Sequence, residues 1–211
     1  MAYSKVSICN IALSMLGAAA IRDFNESNKR ARMCDVFFDQ VSGFLLMKHD
    51  WPFARKFVKL KEVVPEIGTV PTSMKAFALP LDCKIPRDIQ PKGNRIRWEQ
   101  VGSTIHVSAT LEEVGLYYTA NDISVAQFSD GFATVTALGM ASRMCMAIAQ
   151  DKAFAKSLKE EFVFDQNDVY ETEANVGNEY KDPDDVPEND TFVNPPGGDH
   201  LRTIFPGHAN T

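Results

Sequence analysis

Four histidines, His49, His106, His200 and His208, are the side chains best suited to carry a proton near neutral pH. Two histidines on one helix face could hold a divalent metal, but no pair here has the spacing that this needs. His49 ends a helical pattern, where positive charge suits the helix dipole. His106 alternates with its neighbours in a strand pattern and is expected at the surface. His200 and His208 fall in a tail rich in proline and glycine, which offers no rigid frame for a site. The four cysteines, Cys9, Cys34, Cys83 and Cys145, are far apart in sequence. Three of them lie in apolar helical patterns, where a free thiol behaves as a small hydrophobe. Neither a disulfide framework nor a zinc-ligand spacing is present.

Other chemistries leave equally little trace. Pro195-Pro196-Gly197-Gly198 lacks the following lysine and the preceding strand of a phosphate-cradling loop. There is no Gly-x-Ser-x-Gly elbow to expose a nucleophilic serine. Glu160 and Glu161 are adjacent, and neighbours on a helix do not face each other, so they read as a solvated edge. Asp184 and Asp185 lie in the tail. The expectation is a chain with no catalytic residue, no cofactor-binding residue and no metal site.

The elements that would position any site come next. In residues 25–53, Cys34, Phe38, Val41 and Leu45 step by four, three and four, one face of an α-helix. Met33, Phe37 and Phe44 widen that stripe, so the helix is expected to be buried on more than one side. Asn25 or Ser27 would cap it, and Pro52 would stop it. A shorter buried helix is expected over residues 4–16, closed by Gly17 in a left-handed cap. Ile21 and Phe24 of the connector should tuck into the core. A third helix, from Ser129 to Gln150, is rich in small residues that let a neighbour approach closely. Asp151 would cap a fourth, with Phe154, Leu158 and Phe162 on one face.

Between the second and third helices the texture is that of strands. Residues 56–64 alternate charged and apolar side chains in part. Three prolines confine residues 75–91 to short or edge strands. A hairpin is expected around Val101-Gly102-Ser103, and another strand over residues 115–120. Tyr117 and Tyr118 should point to opposite faces of it. The expected fold is α+β: an antiparallel helical bundle with an inserted small antiparallel β-sheet and an extended C-terminal arm. The bundle would take residues 1–52 and 128–176, the β-rich region 53–127, and the arm 177–211.

The arm carries seven acids and two bases, so it holds −5 of the chain's net charge of −6. A nearly neutral body argues against a dedicated nucleic-acid binder, which would show a basic stripe. Five of the eleven prolines also lie in the arm, which cannot bury enough apolar surface to fold alone. It reads either as a disordered tail or as an arm that orders along a neighbouring protein. In the second reading Phe192, Val193, Leu201, Ile204 and Phe205 are its anchors. The chain shows no apolar run expected to cross a membrane and no secretory layout at Met1–Asn10, which predicts a product made in the cytoplasm.

Three stretches carry a resemblance. ALSMLGAAAIRDF (12–24), KHDWPFARKFVKL (48–60) and AFALPLDCKIPRDI (76–89), with its Ala-Leu-Pro-x-Asp-Cys core, resemble the head-to-tail adaptor family of short-tailed bacteriophages, the tail tubular protein A family. The strand, short link and helix over residues 115–150 are also similar to that family. Where its members often carry an arginine before the tyrosine, this chain has Tyr117. The resemblance covers residues 6–175 and its motifs are packing motifs, not catalytic ones.

The resemblance implies a structural virion protein of the tail or neck that forms a dodecameric ring. Its implied partners are the portal protein, the tail nozzle or tube protein, further copies of itself, and the tail fibres. Duplex DNA would pass through the lumen without specific binding. Two other classes stand against this reading. A tail-associated hydrolase would need convergent titratable residues. A small binding or assembly module would work without forming a ring.

Overall fold

Ser4 opens the first helix with a reciprocal cap. Its hydroxyl oxygen accepts from the Ser7 N–H, and the Ser7 hydroxyl oxygen accepts from the Ser4 N–H. This computed structural model describes residues 2–64, 71–90 and 98–178. Helix α1 (Lys5–Met15) ends at Gly17, whose φ of 64° is the left-handed conformation that a side chain resists. Helix α2 (Lys29–Lys48) starts from Asn28 rather than from Asn25 or Ser27. Asn28 Oδ1 accepts from the Ala31 N–H at 2.9 Å, and its amide donates to Glu26 Oε2, which fixes the capping rotamer. The helix leaves its axis at His49, and Pro52 begins a short 3₁₀ turn (Pro52–Ala54). Helix α3 (Asp130–Ile148) is capped by Ser129 and helix α4 (Lys152–Asn178) by the Asp151 carboxylate.

Phe38, Val41, Leu45 and Trp51 are all buried, as the stripe on α2 predicts. They share a core with Ile8 and Leu13 of α1 and with Phe132, Met140 and Met144 of α3. Two glycines of α3 are required by close approach. A Cβ on Gly139 would lie 2.7 Å from Phe162 of α4 and 2.8 Å from Val41 of α2. A Cβ on Gly131 would lie 2.7 Å from Val169 of α4. Helix α3 is the one described helix long and apolar enough to cross a membrane by length and composition, at 19 residues. Most of its apolar surface is instead taken up by the neighbouring helices.

The expected α+β arrangement, a helical bundle with one small inserted sheet, is not what forms. The described residues make a mixed α/β structure of four helices and two antiparallel sheets. The first sheet has three strands in the order β1 (Arg55–Lys59), β7 (Gly115–Ala120), β4 (Cys83–Gln90). The second has four, in the order β2 (Glu62–Val63), β3 (Met74–Ala78), β6 (Thr104–Ser108), β5 (Trp98–Val101). The residues expected as one strand, 56–64, break at Leu60 and Lys61. The Leu60 N–H donates to Val114 O beside the first sheet, and Lys61 O accepts from the Ala78 N–H beside the second. The chain thus crosses between sheets in two residues, too short a break to register as a turn in the pattern.

Strand β7 shows why one sheet is not enough. Every residue of it except Tyr117 is buried, so both of its faces need cover. Leu116 and Tyr118 point into a second core with Ile89 of β4, Phe77 of β3, and Ile105 and Val107 of β6. Thr119 faces the other way, toward the end of α2. Pro86 lies in β4, an edge strand whose pairing with β7 is irregular around it, as proline requires. The β5–β6 hairpin turns through Gly102 at φ 57°, as expected. Residues 2–177, where described, form one packed unit.

Candidate functional site

Three of the stretches singled out in the sequence, 48–60, 76–89 and 115–150, meet where the end of α2 joins the first sheet. Trp51 is fully buried, and its indole N–H donates to Leu45 O at 2.8 Å. Arg87, from the 76–89 stretch, reaches the same place from β4. Its Nε donates to Thr119 Oγ1 at 2.8 Å. One terminal nitrogen donates to His49 O at 2.6 Å, Leu46 O at 2.9 Å and Met47 O at 3.3 Å. These are the carbonyls that a helix leaves unpaired at its C-terminus, and a guanidinium also offsets the negative end of the dipole. Arg87 therefore fastens the three-stranded sheet to α2.

Asp82 closes the junction on the other side. Its carboxylate accepts from Lys56 Nζ at 2.7 Å and from the Tyr118 hydroxyl at 3.0 Å, and its carbonyl accepts from the Asn121 N–H. The bond from Lys56 holds this carboxyl below the usual range, assisted by the Tyr118 bond and opposed by desolvation. Burial, with the Asp82 charge, pushes the Tyr118 hydroxyl up to about 12.

His49 lies at the same end of α2. Its ring stacks on Tyr170 of α4 at 4.9 Å and meets the edge of Trp51 at 5.2 Å. Burial pushes it below the ordinary histidine value. Asp50 and Glu173 act against that shift, while Arg87 and Arg55 add to it. His49 Nε2, Asp50 Oδ1 and the Tyr170 hydroxyl are buried without a hydrogen-bond partner among the described residues. The stack joins α4 to the junction. His106 does not lie on the surface. It is 4% exposed on β6, with Nε2 3.2 Å from Thr104 Oγ1, because β6 is an inner strand covered on both edges.

Three bases around the sheets are matched by acids. Arg55 pairs with Asp50 at 2.8 Å, Lys59 with Glu113 at 3.0 Å, and Lys75 with Glu62 at 3.5 Å. Phe57 is half exposed on edge strand β1, lying over Gly115 and against Tyr117 at 4.8 Å. No group of three metal-ligating side chains occurs among the described residues. The four cysteines are free. The arm residues Phe192, Val193, Leu201, Ile204 and Phe205, like His200 and His208, lie outside the described residues.

Beside the junction lies a cleft of about 410 Å³ between α1, α2, β4 and the segment after β7. Phe38, Leu46 and Phe128 make its floor, with Ile123 and Val125 on one wall. Lys5, Asp39, Ser42, Lys84 and Asn121 supply its polar rim. Its walls come from elements far apart in the chain, so hydrophobic periodicity does not mark it. One local signal was present in Gly43, a glycine in the middle of an otherwise unbroken helical stripe. No protein-family model and no curated protein matches the chain.

Proposed function

We propose that this protein is a structural ring-forming adaptor that joins a phage portal to the tail nozzle and lines part of the DNA conduit. The observation that carries this reading is the convergence of the resemblance-bearing residues. Trp51, Asp82, Arg87 and Tyr118 hold a helix, the three-stranded sheet and a connector in one fixed relation. Their hydrogen bonds among the described residues go to structural partners, as a subunit that transmits load requires. The matched bases on the sheet surface also support it, since unpaired cations in a conduit would hold DNA by its phosphates. A closed ring further needs two different surfaces that fit head to tail.

The test is assembly. The purified full chain is mixed with portal rings of the same phage and the complex is weighed by light scattering. The reading expects a saturating stoichiometry with one adaptor copy per portal subunit. Hydrolysis of cell-wall polymer by a chain that ignores portal rings would replace the reading with an enzymatic one.

A further inference from the structure

We propose that the outer stripe of α4 docks antiparallel onto the first half of α2 in a second copy of this chain. The proposal rests on the ring-subunit reading and names the two surfaces that join neighbouring subunits. The first observation is that each helix leaves apolar surface uncovered. Helix α4 turns Leu158 and Phe162 to the core, with Phe162 against Gly139 of α3. On its opposite side Phe164 is 73% exposed. Helix α2 turns Phe38, Val41 and Leu45 inward, and Val36 on its outer side is 53% exposed. One apolar side chain in water is ordinary when it stands alone. These two stand in charged stripes of opposite sign.

The second observation is the order of those charges. Lys29, Arg32 and Val36 step by three and four, so they share one exposed face of α2. Lys29 Nζ donates to Ala147 O, which leaves its charge unneutralised, and Arg32 forms no ion pair among the described residues. The nearby acids of α2 stand to one side, Asp39 bound to Lys5 of α1 and Asp35 toward Cys9 of α1. On α4, Phe164, Asp168 and Glu171 step by four and three, also on one exposed face. Neither acid forms an ion pair among the described residues. Laid antiparallel, Val36 meets Phe164, Arg32 meets Asp168 and Lys29 meets Glu171, all in one register. Laid parallel with the same apolar contact, both acids would meet the neutral Gln40 and Gly43 instead. Antiparallel helix dipoles also attract. The occupant is a second copy because this chain supplies both stripes, and both point away from its own core. Each copy then gives one surface and receives the other, the head-to-tail contact that closes into a ring. A single helix pair is a small interface, so it holds through the high local concentration beneath a portal.

In the antiparallel register Gln40 faces Glu160, and both are exposed. The experiment oxidises a mixture of full-length Gln40→Cys chains and Glu160→Cys chains, on portal rings of the same phage and in free solution. Free chains are taken up to about 1 mM, the order of the local concentration in an assembly. The expected result is a mixed covalent dimer that neither chain forms with itself, since facing cysteines fall within disulfide reach. Arg32→Glu in the Gln40→Cys chain should slow the link about tenfold, because charge pairs at the edge of a contact set attraction and register. Asp168→Arg in the Glu160→Cys chain should restore it, which a misfolded variant could not do. A link that forms equally fast with Arg32→Glu overturns the proposal. So does self-linking of Gln40→Cys chains, which would place α2 against α2 about a two-fold axis. Portal rings that fill with this chain yet give no mixed dimer overturn this proposal and leave the ring reading standing. A mixed dimer from a chain that ignores portal rings overturns the ring reading and leaves this contact standing.

Discussion

Replacing Arg87 by methionine keeps the length of the side chain and removes all of its donors. The structure then loses three good hydrogen bonds, to Thr119 Oγ1, Leu46 O and His49 O, and a weaker one to Met47 O. Bonds to a charged donor contribute about 1.5–3 kcal/mol each. Simple addition would overstate the effect, because the carbonyls near Met47 can recover water. Charge at a helix C-terminus adds about 0.3–1 kcal/mol. With the half-buried carbonyls partly satisfied by water, Arg87→Met should cost about 2–3 kcal/mol. Arg87→Lys keeps the charge but reaches fewer acceptors and should lose about half as much. Urea unfolding of the full chain measures both, and the slope should not change. A double-mutant cycle with Thr119→Val should show coupling of about 0.5–3 kcal/mol. A loss under about 1 kcal/mol for Arg87→Met, with no coupling, would refute the claim that this residue fastens the sheet to α2.

Phe38→Ala should cost about 3–5 kcal/mol in the same assay, because the ring is buried among α1, α2 and Phe128. The His49 value is depressed, so its contribution is fully present above about pH 6.5 and is lost as pH falls through the lower folded value. Melting followed from neutral to mildly acidic pH should show this loss, and His49→Phe, which keeps the stack on Tyr170, should flatten it. Filter binding of the full chain to duplex DNA should show no tight, salt-sensitive complex. Removing residues 177–211 should leave the melting temperature nearly unchanged and weaken capture by portal rings; unchanged capture would show that these residues take no part in attachment.

What the sequence revealed depended on the range of the interaction. All four helices were legible, because each is written in a local period: Asp151 caps α4 as expected, and Ser4 and Ser129, the expected first residues of α1 and α3, cap them. The one shifted start, Asn28, follows from Glu26 holding its side chain, which no propensity encodes. The β-region was legible as strands but not as two sheets. Pairing β7 with β1 and with β4 joins residues far apart in the chain, and alternation alone does not say which partner a strand takes. His106 was misplaced for the same reason, since an edge and an inner strand share one pattern. Of the junction, Trp51 is legible as an apolar residue beside the Pro52 stop, and it locks the exit of α2. Arg87 carries no signal in the sequence, because its acceptors are backbone carbonyls that leave no mark there.

The central claim is that this chain is a ring subunit between portal and nozzle. Electron cryo-microscopy of the phage neck at residue resolution tests it most directly. The account predicts a closed dodecameric ring of this fold seated under the portal, with Arg87 still bound to the end of α2 in every copy. A neck in which the portal meets the nozzle without this chain, or a density for it elsewhere in the particle as a single copy, would contradict the account.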